Sequence, residues 1–420
     1  MPAPDVLIIG GGLAGLSCAR HLHRHNVSFL LLEATDRLGG RVRTDRVDGF
    51  TLDCGFQVML SAYPETQRAF DYEALDLHAF YAGALVRADG RFHRVADPFR
   101  HPLDAPGTLL AAVGTLADKL RVARLRTTLR RETVPEVFMR DETTTLDALR
   151  HRWGFSERMI DRFFRPFLGG IFLERALRTS SRMFEFVFKM FAEGQAVLPA
   201  DGMDTLPRQL ATFLPESSIR LNARVESLDG QRVTLEDGDE LEAPVLVVAA
   251  EAPAAEELIG NVAPAGGRST TCLYYAAPHS PLDAPLLVLN GEGTGPINNL
   301  CVLSDVAPSY APAGRALVSV TVLGLPSAGD DALEAHVRSQ LSDWFGPDVD
   351  RWNHLRTYRI PYALPEQRPP FLSPPKRSVR RHEGLYVCGD HRRTGSIDGA
   401  LAAGRAAAAA VLDDHPALHA

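Results

Sequence analysis

Gly10, Gly12 and Gly15 have the spacing G-x-G-x-x-G, and Glu33 follows the last of them by 18 residues. Each position meets a need of a backbone that must lie against a pyrophosphate. Gly10 permits a tight turn, Gly12 lets main chain approach the diphosphate, and Gly15 lets a helix pack closely on a strand. Leu13 and Ala14 fall in the first turn of that helix, where unpaired N–H groups and a partial positive charge favour an anion. Glu33, with Ala34 beside it, is placed to accept hydrogen bonds from ribose hydroxyls. The expected ligand is a dinucleotide.

A second cluster follows at once: Asp36-Arg37-Leu38-Gly39-Gly40-Arg41. An NAD site has no need of a Gly-Gly-Arg just after its acidic residue, whereas a longer cofactor does. Arg37 and Arg41 supply charge and donors, and Gly39-Gly40 lets backbone pass close to the ligand.

These residues need particular elements to hold them. Val6–Ile9 and Phe29–Leu32 are short, continuous apolar runs, as buried parallel strands require. Between them Leu16, Ala19 and Leu22 recur at helical spacing as far as about His25. Strand, glycine turn, helix, strand and acid are all present in order.

From Gly10 to Thr44 the chain resembles the FAD-binding signature of the amine oxidase and phytoene desaturase superfamily, which includes protoporphyrinogen oxidases, carotene isomerases and squalene desaturases. Four later stretches resemble the same family. Phe50 to Val58 matches the element passing the flavin, with Gly55 and Phe56 at the ring and Cys54 in place of a usual Gly. Leu198 to Leu206 matches the return from substrate domain to flavin domain, with Asp201 in place of another Gly. Ile219 to Val225 matches the strand whose last residue, Val225, meets adenine through its main chain. A hairpin then turns at Asp237-Gly238, and Val245–Ala250 reads as another buried strand. Finally, Gly384–Asp390 is a strand ending in Gly389-Asp390, followed by Ser396, Ile397 and Ala400 at the start of an Ala-rich helix. The resemblance implies that Asp390 holds the ribityl chain. It also implies that N–H groups near Ile397 face the flavin pyrimidine, where a helix N-terminus favours negative charge.

The implied fold is α/β: a doubly wound, Rossmann-like FAD domain with a discontinuous α+β substrate domain. The expected segments are 1–75, 198–265 and 381–420 for the first, and 76–197 and 266–380 for the second. The first insertion reads as mostly helical. From Phe155 to Phe191 it carries nine of the chain's 20 Phe, a density that fits an apolar cavity, a lipid-facing surface or plain helical core. Lys119 to Arg131 reads as a basic amphipathic helix, either a solvated face or a peripheral contact with anionic lipid. In the second insertion Thr271–Ala276, Pro285–Leu289 and Arg315–Leu323 resemble the family's substrate sheet. Tyr358 and Tyr362 lie on the segment that reaches the flavin ring in the family, as cavity lining or as packing.

Two departures from the family bear on substrate. Many of its amine oxidases place a Lys on the strand that reads Ser269 to Tyr275 here, and this strand has none. Of 45 basic residues only Lys119, Lys189 and Lys376 are lysines. Some members attach flavin through a Cys shortly before the closing motif, but none lies between Cys301 and Cys388, so FAD is expected to be non-covalent. Both departures favour an apolar, terpenoid- or carotenoid-like substrate, dehydrogenated by hydride transfer to flavin N5. Oxidation of an amine or a porphyrinogen, and flavin-dependent isomerisation, are alternatives, with a non-catalytic lipid carrier on the same scaffold as the rival from another class. No catalytic side chain is identified.

Composition sets outer bounds. A net charge of -7 over 420 residues argues against a nucleic-acid partner. Five cysteines without a C-x-x-C pair argue against a zinc site or a disulfide framework and fit a reducing cytoplasm. No metal is expected. No apolar run approaches the ~18 residues of a membrane span. With strand character by residue 6, no removable leader is expected in front of it. The expected location is cytoplasmic, with peripheral contact at the inner membrane face as its extension.

Overall fold

The computed structural model describes residues 4–262 and 266–418. The expected break at 265/266 touches residues outside that set, as do the outermost ends of the expected segments.

A six-stranded sheet runs in the order Ile219–Arg220, Phe29–Leu32, Val6–Ile9, Val245–Val248, Leu385–Val387, Arg380–His382. The first five strands are parallel and the last is antiparallel. Val6 to Ile9 pair in register with Phe29 to Leu32 on one side and Val245 to Val248 on the other. Side chains alternate across such a strand, and both faces are covered. Val6, Ile8, Val245 and Val247 face a helical layer containing Leu16, Ala19, Leu401 and Ala408. Leu7, Ile9, Leu246 and Val248 face Val233, Leu235 and Ala255. The second cover is therefore largely a three-stranded antiparallel meander, Val225–Asp229, Arg232–Leu235 and Glu240–Glu242. A purely helical second layer does not form.

The helices Leu13–His23 and Ile397–Asp414 pack directly on each other. Ser17 Oγ donates to the Leu401 carbonyl at 2.9 Å, and a Cβ at Gly404 would overlap the Ala14 carbonyl oxygen.

A seven-stranded sheet runs Asn353–Pro365, Gly267–Ala277, Ala316–Leu323, Ile297–Val302, Leu287–Asn290, Gly83–Ala88, Arg91–Ala96. Its last two strands come from the stretch read as mostly helical. That hairpin alternates small buried residues (Ala84, Val86, Ala88) with half-buried ones, a pattern too weak in bulk to stand out in sequence.

The phenylalanine-rich region is core. Phe155, Phe164, Phe172, Phe184 and Phe186 are buried, and Phe163, Phe167, Phe188 and Phe191 pack half-buried against them. Of the readings left open, this structure favours packing.

Candidate functional site

The two glycine clusters meet. The Gly39 N–H donates to the Gly11 carbonyl at 2.9 Å, and Gly12 bridges Gly39. Gly40 has φ +60°, and a Cβ on it would stand 3.2 Å from the Gly12 Cα. Gly10 has φ +111° and is held between Leu32 and Ala249, while a Cβ on Gly15 would overlap the Gly10 carbonyl oxygen. Gly12 itself is different: φ is -74°, and the nearest atom to a Cβ there is 3.9 Å away. That space is free of side chains, and no side chain caps the Leu13–His23 helix beside it.

Glu33 is buried one step away. Its Oε2 accepts from the Gly11 N–H at 2.7 Å, and its Oε1 from the Thr35 N–H and hydroxyl at 3.0 and 2.7 Å. The carboxylate thus ties the turn to the end of the second strand. Beside it Ala34, Asn222, Arg224, Leu235, Glu236 and Asp237 line a pocket of about 430 Å³. Val225 begins the meander at the same place, opposite Leu235.

Arg37 and Arg41 diverge. Arg37 turns to Asp45, 2.8 Å away, and to the Thr44 carbonyl. Arg41 reaches Asp390 Oδ2 at 2.8 Å and the Ala363 carbonyl at 2.7 Å, with the Tyr362 ring centroid 5.5 Å away. Burial alone would lower the Arg41 pKa, but Asp390 outweighs it and the guanidinium stays charged. Gln57 holds the Arg41 and Cys54 carbonyls.

Around Asp390 several buried polar atoms have no partner: Asp390 Oδ1, both ring nitrogens of His391, and the Tyr362 hydroxyl. Buried polar atoms are normally hydrogen-bonded, and orphans call for a group that completes them. They sit at the carboxyl end of the Leu385–Val387 strand, where ligands of open α/β sheets bind. Gly389 has φ +145° and lies under the His391 ring. Burial pushes the His391 imidazole down to about 4, so it is neutral at physiological pH. Ser396 caps the final helix, accepting from the Gly399 N–H at 3.0 Å, with Ile397 and Ala400 in the first turn.

The Asn353–Pro365 strand closes one side. Tyr358, Ile360 and Tyr362 alternate along it and so share a face. Tyr358 donates to Asp45 at 2.8 Å, Ile360 lies where a Cβ on Gly55 would go, and Tyr362 rests on Gly267. Gly55 has φ +90°, and Phe56 meets Phe80 edge to face at 6.2 Å.

Two residues that sequence reasoning passed over stand out. Asp53 is buried and accepts from Thr44 Oγ1 at 2.5 Å, the Met203 N–H at 2.9 Å and the Tyr310 hydroxyl at 2.9 Å. Burial nonetheless pushes its carboxyl up to about 6. His391 is the other. Its only signal was a titratable side chain directly after Gly389-Asp390.

Two of the three lysines are engaged away from this region. Lys119 bonds the Leu109 and Ala111 carbonyls, and Lys189 bonds Glu193 and the Leu129 carbonyl. Cys18, Cys272, Cys301 and Cys388 are buried, and burial pushes the half-buried Cys54 thiol up to about 11. Among the described residues no His, Cys, Asp and Glu group is arranged to hold a metal, and no helix is long and apolar enough to cross a membrane.

A family model described as flavin containing amine oxidoreductase matches residues 13–412. Polyamine oxidase 2 of Arabidopsis thaliana is 47% identical over 53 residues, 13% of this chain and 11% of that protein. The chain thus aligns with about a tenth of that curated relative's length. Among solved structures, one described as a protoporphyrinogen oxidase, from Exiguobacterium sp. 255-15, superposes with a TM-score of 0.73 at 19% identity, covering 98% of this chain and 99% of that one. Putrescine oxidase bound to putrescine gives a TM-score of 0.72 at 16% identity, covering 98% and 99%. At these identities the structural likeness is one of fold.

Proposed function

The chain belongs to the flavin-containing amine oxidoreductase family, and from that premise we propose that it is an FAD-dependent oxidoreductase that dehydrogenates an apolar, terpenoid- or carotenoid-like substrate. FAD is the cofactor expected of the family, and the residues present suit it. The side-chain-free passage at Gly12 and Gly40 and the uncapped helix at Leu13 suit the diphosphate. The pocket at Ala34 and Asn222 suits the adenosine end, and the unpartnered atoms of Asp390, His391 and Tyr362 suit the polar chain and ring edge. When bound, FAD supplies the two-electron acceptor for a hydride removed from a substrate C–H bond.

The observation that carries the substrate class is the engagement of the nearby buried and half-buried carboxylates, with the exposed Glu251 near Arg41 and Asp390 standing apart. A buried ammonium substrate is held best by a free carboxylate. Asp45 is taken by Arg37, Arg356 and Tyr358. Asp53 is taken by Thr44, Met203 and Tyr310, and Glu366 by Arg268 and Arg368. Asp390 keeps one oxygen free but is already paired with Arg41. The protein's own work is then to hold the substrate's C–H bond in place and exclude water, using Phe56, Ile360 and the buried residues 270–277 of the Gly267–Ala277 strand.

A second reading, oxidation of an amine, is favoured by the polyamine oxidase segment. Anaerobic bleaching of the bound flavin by carotenoid precursors, porphyrinogen and polyamines separates the readings. Bleaching by a polyamine alone would overturn the apolar substrate. Flavin released into solution on denaturation would support a non-covalent link.

A further inference from the structure

The stretch 99–131 is unlike the rest of the surface. Leu103 is 94% exposed, Leu110 87%, Leu120 73% and Leu116 64%, with Phe99 and Leu109 about half exposed beside them. Single exposed leucines are ordinary, but a run of them in one short segment marks a contact surface. Internal bonds draw the run together. Lys119 Nζ binds the Leu109 and Ala111 carbonyls, fixing the Ala105–Leu110 helix to the start of the Leu116–Arg131 helix. The Arg126 guanidinium stands 4.4 Å from the Phe99 ring centroid.

Charge gives the second half of the surface. Residues 99–131 hold seven Lys or Arg and two Asp, in a chain whose net charge is -7. Leu116, Leu120, Arg124 and Thr128 follow at intervals of four and so form one stripe along the helix. At Arg124 and Thr128 the stripe enters an open cleft of about 530 Å³, lined also by Asp141, Trp153, the exposed Met139, and Arg140 and Arg152, which are held by Glu132 and Glu185. Apolar side chains thus lead directly to the exposed Arg124, for which no ion pair is formed among the described residues.

We propose that this face docks on a bilayer containing anionic lipid. Leu103, Leu110, Leu116 and Leu120 enter the interface, and the exposed Arg124 beside them meets lipid phosphate. Positive charge localised on one segment of an acidic chain is complementary to an anionic surface and repels most acidic proteins, while leucines flanking it add the apolar contact that electrostatics alone lacks. The structure moves the contact away from the basic helix alone, because Arg126 is turned toward Asp97 and Arg121 toward Asp118. The proposal stands independently of the substrate reading.

The test is flotation of the full, FAD-loaded chain with vesicles of phosphatidylcholine alone or mixed with phosphatidylglycerol. Flotation with the mixed vesicles, weakening as salt is raised, is expected. The quadruple variant Leu103→Ser, Leu110→Ser, Leu116→Ser, Leu120→Ser should lose binding at least about tenfold. Arg124→Glu should lose binding to the mixed vesicles selectively. Melting temperature and flavin content should be unchanged in both, since these side chains are exposed. Absence of flotation by the parent chain, or equal flotation by the quadruple variant, would overturn the proposal. So would a dimer in sedimentation that the leucine substitutions dissociate, because the face would then be a self-association surface.

Discussion

Arg41 Nη2 lies 2.8 Å from Asp390 Oδ2, joining the second glycine loop to the end of the Leu385–Val387 strand, while Asp390 Oδ1 is buried without a partner. The pair fixes one oxygen and leaves the other for a ligand. Asp390→Ala should lower the stability of the flavin-free chain by about 1–3 kcal/mol, because Arg41 loses its counter-charge. FAD binding should weaken at least about tenfold. Denaturant unfolding and flavin titration check the two effects, and equal affinity in the variant would remove Asp390 from the site.

Gly12 and Gly15 make a contrast within one turn. Gly15→Ala puts a methyl group into the Gly10 carbonyl and should cost about 1–3 kcal/mol of apo stability, despite the better helix propensity of Ala. Gly12→Ala has allowed dihedrals and room for the methyl group. It should leave apo stability within about 0.5 kcal/mol yet deplete bound flavin, since the methyl occupies the approach to the diphosphate. Apo melting curves beside flavin-to-protein ratios test this, and full flavin content in Gly12→Ala would count against the placement.

Asp53 and His391 should oppose each other in the pH dependence of stability. The Asp53 carboxyl is raised to about 6 in the folded chain, so the native state holds its proton more tightly than the unfolded chain between pH 3.8 and about 6. Its contribution to stability therefore falls as pH rises through that window, by about 2–3 kcal/mol. His391, lowered to about 4, is held neutral, so the unfolded chain binds more protons between about pH 4 and 6.5. Its contribution rises with pH over nearly the same window. Asp53→Asn should make the profile rise more steeply from pH 4 to 6, and His391→Leu should make it flatten or fall. Urea midpoints of the flavin-free chains across that range decide, and parallel profiles for the two variants would refute the assignment.

Phe164 is fully buried against Phe155 and Phe184, with ring centroids 4.7 and 6.2 Å away. Phe164→Ala should cost about 3–5 kcal/mol, whereas Leu120→Ser should change stability by less than about 0.5 kcal/mol. Comparable melting shifts for the two would contradict the division of this region into core and open surface.

The parallel strands were legible because burial on both faces leaves them no polar residue. Val6–Ile9, Phe29–Leu32 and Val245–Val248 are continuous apolar runs, and the glycine turn between the first two carries its own constraint. The Ile297–Val302 strand was not legible. Asn298 and Asn299 are buried in it, paired with the Pro166 carbonyl, with each other and with Thr321, and two amides in a core strand erase the apolar signature. The phenylalanines posed a different difficulty. Their density was plain, but whether a ring meets another ring or open space depends on partners far apart in sequence, such as Tyr63 stacking on Phe186 at 5.7 Å. Asp53 escaped for the same reason, since its partners include Met203 and Tyr310. The glycine cradle was readable residue by residue, whereas the orphaned atoms of His391 and Tyr362 required the fold.

The packing of Leu13–His23 on Ile397–Asp414 has a consequence for synthesis. The cradle's glycines are translated some 380 residues before the helix that covers their neighbour and the strand bearing Asp390. A nascent chain therefore carries the Gly10–Gly15 turn through that interval with one face of the Leu13–His23 helix bare. Tight cofactor binding is therefore expected only after the Asp390 segment has been made.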